Sequence, residues 1–478
     1  YYIYLIFCIS YVRCYSEINN ITTFCRDNPL NTELNEMIDF DHVRPDHIIK
    51  SAHCSIAKAD SILSNILLVS DSMRTFENTL LRLDDLYNIV FKTWNPIELL
   101  ASVSDKDQIR LKCDEASLLF SSYMIELSSN PALYNALILY SSMDKSKPLP
   151  AHRKMFLESE LRDFKNSGLG LSSERQNDLK QIQKRISELS IRFRNNINRY
   201  TDTLFINKDN AEGLSENYKN DRYFGDGLYA IDLSYPTYYP FMKYAESDSM
   251  RKLLNYKFLN KGMPDNIEIL DEILILRNQY ALLLDHSSYA ELTLQETMAG
   301  TPGAVWEFEN NLREMIQNKA DWDTKQLQKI KNKLQNKGNS IVKQWEKYYY
   351  ENMLLQNSFN VDANEVKKYF QLDNVIRGLF YITNKLFGIE YSQLQNPSVW
   401  HPEVRMYEVR DSMSGSLLGV FYLDLFPRKN KYQHAAEFTI FSGKKIGDDY
   451  QLPVACLVCN FPRENPKFPS LLTHDDVE

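Results

Sequence analysis

Apolar residues recur three or four positions apart along most of the chain, the spacing of one face of an α-helix. The clearest stretch is about residues 173–200. There Leu179, Ile182, Ile186, Leu189, Phe193 and Ile197 form one stripe, while Lys180, Lys184, Arg185, Glu188 and Arg192 occupy the other face. Ser173-x-x-Gln176 offers a capping box at its start. The pattern predicts a long helix packing its stripe into a bundle; a coiled-coil dimer would need a longer repeat. A second helix is expected from Ile267 to about Leu284. A third starts at Thr301-Pro302, with Thr as N-cap and Pro at the first helical position. It should turn Val305, Phe308, Leu312 and Met315 inward, and the Lys- and Asn-rich stretch that follows, to about Ile341, should be exposed. The aromatic run Trp345 to Tyr350 reads as packing. Residues 362–388 give one more helical pair, with Phe370, Leu379, Phe380 and Leu386 inward.

The texture changes near Asn396. Val404 to Val409 alternates with period two, as a half-buried strand should. Further strands are expected at Leu417–Phe426, Ala435–Phe441 and Val454–Asn460, with loops at Ser442-Gly443 and Gly447-Asp448-Asp449. The expected fold is mainly α: a large helical body with a small mixed β-sheet near the C-terminal end. Three regions follow: an apolar segment at 1–25, a helical region at 26–243, and helices followed by a sheet at 244–478.

Composition narrows the function classes. The 478 residues carry a formal net charge of −8. Phosphate binding needs a clustered basic face, so nucleic acid is not an expected partner. Tyr2 to Ile9 is apolar but too short to span a bilayer, so no stable membrane insertion is expected; Asn20-Ile21-Thr22 is a glycosylation sequon. The seven cysteines define no disulfide framework, and this usage suits a reducing compartment. Cys456-x-x-Cys459 lies in a strand-like run, where residues three apart point to opposite faces. No two of the eight histidines stand four residues apart, so the chain holds no helical zinc pair. His42 and His47 read as surface residues and His401 as structural. Asp424, between apolar strand residues, requires a buried partner. Phosphate-binding loops, dinucleotide fingerprints and nucleophile elbows do not occur.

Several pieces in order carry a resemblance. They are Leu161-Arg162-Asp163-Phe164 with Gly168; Ile182 to Ser190; Ile269 to Arg277; Ser288-Tyr289-Ala290; Met298-Ala299-x-Thr301-Pro302; Tyr369-Phe370-x-Leu372; and Leu386 to Ile389. Trp400-His401-x-x-Val404, Gly419-x-Phe421 to Arg428, Lys431-Tyr432, His434-Ala435-Ala436, Asn460-Phe461 and Ser470 to Asp475 complete the series. Together they resemble the thimet oligopeptidase family of zinc peptidases, from about Thr75 onward. The resemblance implies a two-lobed helical body with a zincin-like catalytic domain. It also implies hydrolysis of short unfolded peptides by water activated on one zinc ion. The family's His-Glu-x-x-His helix would begin just past Glu478. The expectation is therefore a fragment that does not itself bind zinc or cleave peptides. His474-Asp475-Asp476 would lead into a helix, and the apolar face of Val454–Val458 would lie partly open.

Peptidases of this kind bind substrate as an added strand on a sheet edge. The strand starting at His434 is flanked by loops and begins with small residues, so His434, Ala435, Ala436 and Glu437 are the candidate substrate-binding residues. The expected partners are short peptides, the expected state a monomer, and the expected location cytoplasmic or, alternatively, mitochondrial. A non-catalytic peptide-binding or helical scaffold is the alternative reading.

Overall fold

The computed structural model describes residues 25, 27–143, 149–466 and 468–478. The apolar run at Tyr2–Ile9 and the sequon at Asn20 lie outside them. The described chain opens with helices α1 (Pro45–Leu68), α2 (Leu81–Val103), α3 (Asp107–Ser128), α4 (Pro131–Met143), α5 (Ala151–Asn166) and α6 (Ser173–Asn198). Strands β1 (Thr203–Ile206), β2 (Tyr223–Gly225) and β3 (Leu228–Asp232) form a small antiparallel sheet in the order β1-β3-β2. Helices resume with α7 (Tyr235–Tyr244), α8 (Asp248–Leu259), α9 (Asp265–Leu283), α10 (Pro302–Gln335), α11 (Lys347–Phe359) and α12 (Leu372–Phe387). No helix among the described residues is long and apolar enough to cross a membrane.

The α6 stripe is used as its period requires. Leu179 and Leu189 are buried, and Leu189 packs with Ile269 and Ile273 of α9. The cap falls one residue earlier than the sequence suggests: Ser172 Oγ accepts the Arg175 N–H at 3.4 Å. In α10 the cap is at Thr301, whose Oγ1 accepts the Ala304 N–H at 3.2 Å. Its stripe, however, faces outward: Phe308, Leu312 and Met315 are exposed, Met315 at 80%. In α12 the stripe splits. Phe380 packs against Tyr407 and Phe421, whereas Leu379 and Leu386 are exposed. Helical period locates a stripe but not the element that will cover it, and these stripes have no cover among the described residues.

The second sheet contains β4 (Ile389–Gln393), β5 (Arg405–Asp411), β6 (Leu417–Asp424), β7 (Ala436–Phe441) and β10 (Val454–Val458), in the order β4-β5-β6-β10-β7. Strand β10 runs parallel to β6, and the other pairs are antiparallel. Where a loop was expected after β7, β8 (Lys444–Ile446) and β9 (Asp449–Gln451) form a hairpin. Alternation serves both faces of the sheet. Met406, Tyr422, Val454, Cys456 and Val458 join the core of α1 to α5, while Tyr407, Leu423 and Cys459 pack toward α12. Cys456 and Cys459 thus lie on opposite faces. One apolar face of Val454–Val458 is covered by the N-terminal helices, while the other is partly open, with Leu457 exposed, as expected.

The sheet is anchored to those helices through Asp424, which is 1% exposed. Arg428 forks onto both carboxylate oxygens at 2.6 Å, Lys431 Nζ lies 2.8 Å from Oδ1, and Trp400 Nε1 donates to Oδ2 at 2.8 Å. Lys431 also donates to the carbonyls of Asp424, Phe426 and Cys459. Arg428 reaches the Val103 carbonyl at the end of α2 (2.7 Å), and the Tyr432 N–H donates to Ser102 O (2.8 Å). Burial alone would raise the Asp424 carboxyl, but the Arg428 hydrogen bonds and the Lys431 charge outweigh it and hold the pKa low.

Three residues depart from the sequence reading. His47 is buried, its ring 2.7 Å from Arg44 Nη2, and is not a surface residue like His42. Cys25 and Cys54 are disulfide-bonded, although no pairing was expected.

Removing one partner from a buried ion pair leaves uncompensated charge. Asp424→Asn should cost roughly 3–5 kcal/mol in urea unfolding, and Trp400→Phe, which removes one donor, about 1 kcal/mol. A second test concerns Glu160 of α5, which is buried and accepts from Tyr87 at 2.7 Å. Burial, with Asp163 and Asp84 nearby, pushes its carboxyl up from 4.5 to about 7. Between these pH values the unfolded chain has lost this proton and the folded chain keeps it, so stability falls as pH rises. Glu160→Gln, which still accepts from Tyr87, should stabilise the protein at pH 8 by up to about 3 kcal/mol and change little at pH 4.5. Equal effects at the two pH values would exclude this assignment.

Candidate functional site

Strand β7 occupies one edge of the five-stranded sheet, paired only with β10. Its register sets Ala436 opposite Val458 and Glu437 opposite Leu457. Among the described residues, its outer edge makes no backbone hydrogen bond to another element. Side chains alternate along it: Glu437 and Thr439 are exposed, while Phe438 and Ile440 turn toward the core of α1 to α5.

The strand starts two residues later than expected. His434 and Ala435 are exposed and precede the ladder, which begins at Ala436. The approach is held by side chains instead of strand pairing. Asn460 Nδ2 donates to the carbonyls of Tyr432 (3.0 Å) and His434 (3.1 Å), and Lys431 is pinned in the Asp424 cluster. The ladder can begin only after these ties end. Of the four candidates, Ala436 and Glu437 therefore lie on the strand, and His434 and Ala435 lead into it.

The helical part reaches this point through two contacts. The Tyr235 hydroxyl at the start of α7 lies 2.7 Å from His434 Nδ1, with the rings edge to face. Lys261 Nζ donates to Gln433 Oε1 at 2.5 Å and to Leu233 O at 3.0 Å. Burial lowers the Lys261 ammonium to about 8, and burial, with Tyr239 beside it, raises the Tyr235 phenol to about 12. Both groups keep their ordinary protonation state at neutral pH: Tyr235 is neutral and can donate, and Lys261 is mostly charged. Tyr239, Phe258 and Tyr348 extend the aromatic cluster behind Tyr235.

Beside these contacts lies a cavity of about 660 Å³. One wall is formed by residues 198–203 and 232–237, and the other by the turns after β6 and β10, including Arg428, Lys429, Lys431, Gln433, Asn460 and Arg463. Asp202, Asp221 and Asp232 add negative charge on the first wall. Such a volume accepts a few residues of extended chain. Tyr235, Lys261 and Gln433 were not singled out from sequence, because no local pattern marks contacts between segments some 170 to 200 residues apart.

The donor set does not fit a zinc site. Among the described residues, no three His, Cys, Asp or Glu side chains stand together in a way that could hold an ion. The histidines are engaged elsewhere: His434 with Tyr235, His401 with Glu403, His42 with Asp39, and His47 with Arg44. His474 opens a short helix, α13 (His474–Val477), where Thr473 and Asp476 cap each other, as an acidic helix start predicts.

Comparison with known proteins agrees with this architecture. Residues 241–478 match the description "Peptidase family M3", and residues 61–176 match "Neurolysin/Thimet oligopeptidase, N-terminal domain". A thimet-like oligopeptidase of Dictyostelium discoideum is 31% identical over 435 residues, covering 87% of this chain and 64% of the relative. Oligopeptidase A of Haemophilus influenzae is 29% identical over 468 residues (94% and 68%), and saccharolysin of Saccharomyces cerevisiae 31% over 403 residues (80% and 56%). The chain therefore spans between about half and two thirds of the length of these relatives. With both family matches in their expected order on a mainly helical body with a small mixed sheet, the chain belongs to the thimet oligopeptidase family, peptidase family M3.

Proposed function

We propose that residues 1–478 are the helical body and peptide-binding sheet of a zinc-dependent oligopeptidase. Short unfolded peptides would be its substrates, and the zinc ligands would be residues other than those described here. The observation that carries this reading is the open outer edge of β7, in a chain of this family, with a cavity of about 660 Å³ lined by Gln433 and Asn460 at the approach to that strand. A peptide laid along β7 would exchange backbone hydrogen bonds with it, with its side chains alternating between the two faces of the sheet. Ala435 and Ala436 leave room for a second backbone at the start of that edge, and Glu437 offers a carboxylate to a basic side chain. His434, held by Tyr235, would mark the end of the binding groove.

The bound zinc would activate water in the complete enzyme, as in metal-assisted hydrolysis generally. The part played by the described residues is to bind and orient peptide. Uncovered stripes on α10 and α12 agree with a larger assembled body, since exposed apolar faces of this extent need cover.

Peptide backbone should dominate the binding. A short peptide N-methylated at alternate residues should bind residues 1–478 at least tenfold more weakly than its parent, whereas methylation at the intervening residues should be tolerated; calorimetric titration reads both. Equal affinity for all three would remove the added-strand reading. For the chemistry, residues 1–478 with added zinc should show no peptidase turnover. The natural product purified from its source should cleave short quenched peptides, lose activity to a chelator and regain it with zinc. Chelator-sensitive turnover by residues 1–478 would overturn the placement of the metal. A natural product that binds but never cleaves would support the scaffold alternative.

A further inference from the structure

Residues 27–43 include no helix or strand longer than a single turn, yet they carry Leu30, Ile38, Phe40 and Val43 into the main core. They form a strap from α1 to the sheet. Asn35 Nδ2 donates to Tyr450 O (3.0 Å), the Leu452 N–H donates to Asn35 Oδ1 (2.8 Å), and Ser398 Oγ donates to Asp39 Oδ1 (2.8 Å). The Phe40 ring stands edge-on to Trp400, the residue that donates to Asp424. With little ladder of its own, such a segment depends on how its two ends are tied. One end continues into α1. The other is Cys25, joined to Cys54 in the middle of α1.

We propose that Cys25–Cys54 is a native disulfide that pins this strap, and that the protein accordingly matures in an oxidising compartment. The two Cα atoms are 6.0 Å apart, in the middle of the range that a disulfide requires, and both side chains are buried. Asn31 Nδ2 donates to the Cys25 carbonyl, so the backbone at the bridge is also held. The free thiols among the described residues, Cys113, Cys456 and Cys459, are all buried, and none offers a surface sulfur for mispairing. Glutathione and thioredoxin keep cytosolic thiols reduced, which is why persistent structural disulfides belong to oxidising compartments. This proposal departs from the reducing, cytoplasmic expectation. In the oxidation step the Cys25 and Cys54 sulfurs join as each thiol gives up its proton. The two electrons released reduce a disulfide oxidant, such as glutathione disulfide, to two thiols.

The natural protein provides the test. Source cells are quenched in acid, alkylated with iodoacetamide under denaturing conditions, and the protein is digested without reduction. The expected result is one linked peptide pair containing Cys25 and Cys54, with Cys113, Cys456 and Cys459 alkylated. Recovery of Cys25 and Cys54 as alkylated thiols would overturn the proposal. On the purified chain, dithiothreitol without denaturant should lower Tm by about 3–6 °C and speed amide exchange over residues 27–43 at least tenfold. The double variant Cys25→Ala/Cys54→Ala should reproduce both effects and lose the response to dithiothreitol. Unchanged exchange over the strap on reduction would overturn the pinning role.

Discussion

Asp424 is the point on which the arrangement turns. A carboxylate at the end of a central strand cannot remain ionised in a protein interior unless donors surround it. Here they come from a strand-end turn (Arg428, Lys431) and from the loop before β5 (Trp400). The same cations continue outward to the carbonyl that ends α2 and to Cys459 beyond β10. The Val103 carbonyl carries the negative end of a helix dipole, so a guanidinium is favoured there. Three elements distant in sequence are thus held in one geometry. A buried ionic cluster is a poor source of net stability, because desolvation offsets most of the attraction. Its contribution is to exclude other arrangements: an alternative docking of the sheet on the helices would leave these charges unpaired.

That restriction extends to the edge strand. Lys431 is held in the cluster, Tyr432 is bound to Ser102, and Asn460 holds the carbonyls of Tyr432 and His434, so the chain reaches Ala436 in a set direction. From there β7 pairs inward with β10 and leaves its other edge open. Open edges invite uncontrolled pairing, and proteins commonly keep them short or charged. Strand β7 has six residues and exposes Glu437 and Thr439. The contacts of Tyr235 with His434 and of Lys261 with Gln433 tie the helical part to the approach to that edge.

Much of this was legible in the residues. The α6 stripe, the Thr301 cap, the main strands of the large sheet, the opposite faces of Cys456 and Cys459, and the need of Asp424 for partners all follow from period, capping chemistry and desolvation. What escaped notice was short or non-local. Strands β1 to β3, β4 and the β8–β9 hairpin have three to five residues each, too few for a two-residue period to stand out. The Cys25–Cys54 bridge and the engagement of His434 by Tyr235 join segments that no local pattern connects. The outward stripes of α10 and α12 show the converse: their period is plain, but period cannot say whether a partner is present. His47 was misread because its acidic, Pro-broken surroundings suggested surface, whereas its helix turns it inward against Arg44.

In the proposed function, binding and chemistry fall to different groups of residues. The edge of β7, the cavity beside it and the cluster that sets both are complete without a metal, since every group that positions them lies among the described residues. No cluster of metal-ligating side chains accompanies them there. In the proposed function, peptide orientation would rest on backbone hydrogen bonding to that edge, and a metal site acting on the bound peptide would have to be placed relative to it. An edge that is rigid before the ligand arrives spends little binding energy on ordering itself. In that reading the Asp424 cluster, which fixes the approach to β7, would govern how accurately a peptide is presented.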